Sequence, residues 1–150
     1  MHKKSILSSS AKETKQIGEV FGREIVHMKP LARARVIGLR GDLGAGKTTF
    51  IQGMLRGLGI RKRTTSPTFV LIKRFSIKNE TYKNFFHIDA YRLSSFEELY
   101  PLEIQKILED PHAIICIEWI ENIQSKKLHT CGMITFTHKK EKRLITISPC

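Results

Sequence analysis

The sequence has no apolar run approaching the roughly 18 to 20 residues of a membrane-spanning helix, so no membrane span is expected. Cysteine is scarce. Cys116, Cys131 and Cys150 lie far apart, a spacing that gives neither a zinc pattern nor a disulfide framework. Cys116 sits inside an apolar run and reads as core. The N-terminal stretch Met1-His2-Lys3-Lys4-Ser5-Ile6-Leu7 has basic residues with no apolar segment behind them, so no signal peptide is expected. The simplest compartment is a reducing cytoplasm. Internal repeats, low-complexity tracts and long linkers are missing, and 150 residues suit one domain spanning 1–150. No Asn-Lys-x-Asp sequence is present, which argues against a guanine-reading GTPase. Acidic residues are few, 14 against 26 Lys and Arg, for a net charge of +12.

That charge collects at Arg61-Lys62-Arg63, Lys73-Arg74, Lys126-Lys127 and between His138 and Arg143. A solvated surface explains it most simply. A polyanionic partner such as RNA is the sharper alternative, although no RNA-binding signature accompanies the charge. Phe69, Phe75, Phe85 and Phe86 fall on expected strands and read as core rather than as stacking platforms.

Apolar residues make up 41% of the chain, enough for a core. Ser10-Ala11-Lys12-Glu13 matches a capping box. Behind it, Ile17, Val20, Phe21, Ile25 and Met28 recur at helical spacing, and Pro30 marks the stop. Arg35 to Leu39 reads as a short buried strand. After Lys47 a helix carries Phe50, Ile51, Met54, Leu55 and Leu58 on one face, with Gly59 as its C-terminal cap. Phe69–Phe75 and Tyr82–Ile88 read as strands of a hairpin. A second capping box, Ser94 to Glu97, opens a helical region that Pro101 breaks. Ala113–Ile117 is a buried strand, and Met133–Phe136 with Leu144–Ile147 forms a second hairpin. The expected fold is α/β: central parallel strands, antiparallel additions, and helices on the faces.

Gly41-Asp42-Leu43-Gly44-Ala45-Gly46-Lys47-Thr48 fits the phosphate-loop pattern G-x-x-x-x-G-K-S/T in full, between an expected strand and an expected helix. The glycines permit backbone angles that turn amide N–H groups toward phosphate oxygens. The helix start points its positive end at the same place. Lys47 supplies a cation for the β- and γ-phosphates, and the Thr48 hydroxyl is a magnesium ligand. Thr49 follows in the same turn. The expected cofactors are Mg2+ and a nucleoside triphosphate, ATP rather than GTP on the missing Asn-Lys-x-Asp sequence and on the family that these segments resemble. A magnesium site also needs a carboxylate. Ile114-Ile115-Cys116-Ile117 delivers Glu118 to a strand end beside Trp119, the only tryptophan. Asp89, ending Phe85-Phe86-His87-Ile88, is a rival. His87 alone reads as a structural histidine, and Arg92 as a partner for Asp89 or for a phosphate. Ser66, Pro67 and Thr68 form a loop, because Pro67 keeps Ser66 out of the helical region.

Taken together these segments resemble the TsaE (YjeE) family of bacterial ATPases. The matching pieces are the loop Gly41 to Phe50, Ser66-Pro67-Thr68-Phe69, His87-Ile88-Asp89-Ala90-Tyr91-Arg92-Leu93, and Ile117-Glu118-Trp119. The first is shared by many NTPases; the second-strand element His-x-Asp-x-Tyr-Arg is far more specific. The resemblance covers about residues 10 to 125. It implies a role in making threonylcarbamoyladenosine in tRNA, through ATP hydrolysis that supports repeated turnover by a complex of TsaB and TsaD. The +12 charge is unusual for the family, and leaves open direct tRNA contact, contact through that complex, or a lineage's composition alone. The resemblance also implies that Asp89 and Glu118 flank the metal and the attacking water. Ser66, Pro67 and Thr68 become a loop responsive to the γ-phosphate, and Trp119 lies by the nucleotide. Ile120 departs from the family, which commonly has a small residue or proline there. Two other functions fit the same residues: a P-loop small-molecule kinase, with Arg61 and Arg63 as candidates for its arginine-rich lid although the sequence shows no lid-like segment of suitable length, and a basic RNA-binding scaffold.

Overall fold

The structure, a computed structural model, describes residues 2–61 and 71–148. In chain order the elements are β1 (Lys4–Ser8), α1 (Ala11–Ile25), β2 (Arg35–Arg40), α2 (Lys47–Gly57), β3 (Ile72–Ser76), β4 (Asn84–Asp89), a 3-10 segment (Phe96–Leu102), α3 (Ile104–Glu109), β5 (Ala113–Glu118), a second 3-10 turn (Ile120–Ile123), β6 (Gly132–Lys139) and β7 (Lys142–Ser148). Among the described residues the seven strands make one sheet, ordered β1-β7-β6-β2-β5-β4-β3. Its centre, β6-β2-β5-β4, is parallel. β3, β7 and β1 are added antiparallel.

Side chains alternate across the strands and feed two cores. On one face α1 and α2 bury Phe21, Ile25, Phe50 and Met54 against Ile37, Leu39, Cys116 and Ile134. On the other, the 3-10 segments and α3 bury Phe96, Leu99, Ile104 and Ile123 against Val36, Ile88, Ile115 and Ile117. No helix among the described residues is long and apolar enough to cross a membrane.

The two long helices touch backbone to backbone. A Cβ built on Gly53 would stand 1.9 Å from the Lys15 carbonyl oxygen, and one on Gly18 would stand 2.1 Å from that of Phe50. In an exposed helix Gly→Ala gains about 1 kcal/mol. Here Gly53→Ala must push α1 away, and overpacking of this kind costs about 1–3 kcal/mol. Urea denaturation should show a lower midpoint for Gly53→Ala; a raised midpoint would mean the helices are not in this contact.

Several expected boundaries move. Ser10 does cap α1, its Oγ accepting from the Glu13 amide at 3.1 Å, but the helix ends at Ile25, well before Pro30. The second capping box is shifted by one, to Ser95 and Glu98, and opens a 3-10 segment that contains Pro101 rather than breaking at it. Both Ser-x-x-Glu matches are present locally. The choice falls to Phe96 and Leu99, whose three-residue spacing buries both in the shifted frame. β1 and α3 were not expected. β1 is a short edge strand whose register is set by β7. Cys116 is buried and free as expected, whereas Cys131 is disulfide-bonded, which corrects the expectation drawn from cysteine spacing: a fold-made contact leaves no trace in that spacing. Phe69 and Val70 of the first expected hairpin strand lie outside the described residues.

Candidate functional site

β2, β5 and β4 are parallel, so their C-terminal ends reach one edge of the sheet, the edge where open α/β sheets bind ligands. β2 runs into the loop that begins at Gly41. β5 ends on Glu118, and β4 ends on Asp89, opposite Glu118 in register. Gly41, Gly44 and Gly46 hold φ values of 144°, 74° and 102°, a region that side chains disfavour. At Gly41 a Cβ would also stand 2.5 Å from the Phe136 carbonyl oxygen of β6. Asp42, Leu43 and Gly44 are exposed at the loop's crest, while Ala45 is buried beneath it. α2 begins at Lys47, with the Phe50 amide donating to the Gly46 carbonyl at 2.9 Å. The amides of its first turn have no helical partner and face the same edge. Thr48 and Thr49 lie in that turn, both half-buried.

The Lys47 side chain folds back over the loop. Its Nζ donates to the carbonyls of Gly41 and Asp42 (2.9 Å to the latter) and sits 3.8 Å from the centre of the Trp119 ring. Burial lowers its pKa from the ordinary value, and the surrounding carboxylates of Glu118, Glu121, Asp42 and Asp89 oppose that shift only in part. An ammonium so desolvated gains more than an exposed one from an incoming anion.

Glu118 is 3% exposed. The Thr48 hydroxyl donates across both its oxygens, at 3.1 and 3.0 Å, and His87 Nε2 is 2.7 Å from Oε1. Asp89 is half-buried beside it, Oδ1 accepting from the Tyr91 amide at 3.0 Å. Trp119 takes a left-handed backbone, φ 58°. That residue, rather than a small residue at 120, makes the turn, and Ile120 is buried as the next turn begins. Tyr91 packs on Trp119 with ring centres 5.0 Å apart. Asn122 Nδ2 ties the turn to β4's exit through the carbonyls of Ala90 and Tyr91 at 3.1 and 3.2 Å.

Gly41 through Thr49, Asp89, Glu118 and Trp119 are thus brought together. Ser66, Pro67, Thr68 and Arg63 lie outside the described residues. Two neighbours escaped the sequence. His87, read as structural, bonds the central carboxylate; the signal was its two-residue spacing from Asp89, which puts both on one face of β4. Arg143, on β7, flanks the loop: a Cβ on Gly46 would be 3.4 Å from its Cδ and 3.6 Å from its Nε. Nothing local separates it from the rest of its basic run.

Because the indole stands over Lys47, displacement of that ammonium changes its surroundings. Emission from Trp119 should respond saturably to ADP or ATP with magnesium. Flat emission while calorimetry registers binding would place the nucleotide away from Trp119.

A family model described as "Threonylcarbamoyl adenosine biosynthesis protein TsaE" matches residues 8–145. The chain belongs to the TsaE family. Relatives named "tRNA threonylcarbamoyladenosine biosynthesis protein TsaE" include that of Treponema pallidum, 36% identical over 120 residues, which span 80% of this chain and 81% of the relative. That of Rickettsia typhi is 36% identical over 143 residues, 93% of this chain and 90% of the relative. Among solved structures the fold is similar to Bacillus subtilis YdiB, with TM-score 0.67 and 26% identity over 98% of this chain and 85% of that one. The TsaE match reaches past the segment 10–125 into β7, so it takes in the loop-flanking Arg143.

Proposed function

We propose that this TsaE-family chain is a magnesium-dependent ATPase acting in threonylcarbamoyladenosine modification of tRNA, where its nucleotide cycle supports turnover by a complex of TsaB and TsaD. The observation that carries the proposal is the convergence of Lys47, Thr48 and Glu118 at the end of β2 and β5. The donor set suits Mg2+ with a nucleotide. Among the described residues no three His, Cys, Asp or Glu side chains cluster as a metal cage, and magnesium characteristically takes one or two carboxylates, with phosphate oxygens and water completing its shell.

Each residue has a task in that setting. Lys47 moves from the loop carbonyls to the β- and γ-phosphates, where the opposing charge offsets its desolvation. The first-turn amides of α2 hold the phosphate oxygens. Thr48 would offer its oxygen lone pairs to the metal while its hydroxyl goes on donating to the Glu118 carboxylate, so hydroxyl and carboxylate act as a pair. Asp89, one strand over, orients the attacking water. The metal, when bound, neutralises charge on the phosphate oxygens. The products are ADP and free phosphate. We place hydrolysis as slow in isolation, the nucleotide state serving to switch affinity for TsaB–TsaD.

Capture of TsaB and TsaD by this protein, with and without ATP, followed by tRNA modification in the reconstituted mixture, tests the proposal. Capture should depend on the nucleotide, and repeated rounds of modification should require the chain. Full multi-turnover modification in its absence would overturn the reading. Appearance of a phosphorylated small acceptor in place of free phosphate would turn it to a kinase.

A further inference from the structure

We infer that His87 is a positioning residue for Glu118: its Nε2–H holds Oε1, so that the carboxylate presents Oε2 beside the Thr48 hydroxyl to a magnesium ion. The inference rests on the magnesium-nucleotide reading of the site. A carboxylate buried as deeply as Glu118 needs donors. Thr48 has one proton to give, shared over 3.1 and 3.0 Å. The shorter contact, 2.7 Å, comes from His87, which is itself 1% exposed.

The geometry of the sheet makes this contact rigid. On paired β4 and β5, His87 lies opposite Cys116, and two residues on, Asp89 lies opposite Glu118. His87 therefore sits one pleat below the carboxylate on the same face, its backbone fixed on both sides by β3 and β5. Its other ring nitrogen decides the proton's place. Nδ1 is buried and has no hydrogen-bond partner among the described residues. A proton there would be a buried donor with no acceptor, which is costly; on Nε2 it meets Glu118. The ring is thus a single-ended tether. Magnesium is demanding in its octahedral geometry, and outer partners that fix a ligand's orientation characteristically change metal affinity 10- to 100-fold.

The test measures ADP affinity by calorimetry, with magnesium chloride and without it, for the wild type, His87→Leu and His87→Gln. The glutamine amide nitrogen reaches about as far as Nε2 and can donate; leucine cannot. His87→Leu should bind ADP alone like the wild type and lose about 10- to 100-fold of the tightening that magnesium gives. His87→Gln should recover most of it. Unchanged magnesium dependence in His87→Leu overturns the inference, as does equal impairment of both variants when both melt near the wild type, since that is the mark of a purely structural histidine. Should His87→Leu fail to fold, ring nitrogen-15 shifts of the wild type decide: an Nε2–H tautomer supports the tether and an Nδ1–H tautomer overturns it. Wild-type affinity indifferent to magnesium would instead remove the functional reading, with the tautomer still deciding whether His87 tethers Glu118.

Discussion

Lys47→Ala should keep the fold, lose hydrolysis, and bind ATP about 10- to 100-fold more weakly. The variant removes the cation that the proposed site directs to the phosphates and leaves the glycine-shaped backbone cradle intact. A charge-assisted contact of this kind is worth about 1.5–3 kcal/mol, and 1.4 kcal/mol is tenfold in affinity. The fold should tolerate the change, because two opposing terms leave together: the bonds from Nζ to the Gly41 and Asp42 carbonyls, and the burial that disfavours the ammonium. Thermal melting reads the difference. At ATP a hundredfold above the wild-type Kd, binding stabilises the native state by about 2.7 kcal/mol, roughly 5–10 °C for a chain of this size. With Kd raised some thirtyfold, the same ATP supplies under about 1 kcal/mol. Equal shifts in both proteins would mean that Lys47 does not meet the phosphates.

Glu118→Gln should abolish repeated tRNA modification and reduce hydrolysis by about 100-fold, the upper end of what loss of a mere supporting partner of a metal ligand costs, while ATP binding without magnesium stays near the wild type. The amide keeps the shape of the side chain and an oxygen for His87 and Thr48, and removes the charge that the proposed magnesium would need. Glu118→Ala should show the same functional loss with a lower melting temperature as well, because it strands the Thr48 hydroxyl and His87 Nε2 in a buried space. Asp89→Ala should separate the two carboxylates. Asp89 is bonded to the Tyr91 amide rather than to Thr48, so its loss should cost hydrolysis while the magnesium dependence of binding persists. Undiminished multi-turnover modification by both carboxylate variants would contradict the roles given to them.

Much of this site is legible in the sequence, for local reasons. The phosphate loop is contiguous, and its positive-φ positions fall on the three residues that tolerate them, Gly41, Gly44 and Gly46. Glu118 was legible because four apolar residues in a row mark a buried strand whose next residue is its exit. What stayed hidden depends on neighbours distant in the chain. β1 has too few apolar residues to announce itself, and becomes a strand because β7 offers an edge. β6 was expected only as half of a hairpin, yet it also pairs in parallel with β2 and puts Phe136 against Gly41. α3 follows the left-handed Glu103, a conformation with no sequence signature at a glutamate. Arg143 gains its meaning from packing, because one arginine in a basic run is locally ordinary; the spacing of His87 from Asp89 is visible locally, but its bond to Glu118 comes from the register of β4 on β5. Ser66, Pro67 and Thr68 lie outside the described residues.

The most direct measurement is calorimetric titration of the wild-type chain with ATP, once with magnesium chloride and once with a chelator. A magnesium nucleotide site built on Lys47, Thr48 and Glu118 predicts saturable binding of one ATP per chain, tighter with the metal than without it. Absence of saturable binding, or an affinity unchanged by the chelator, would contradict it.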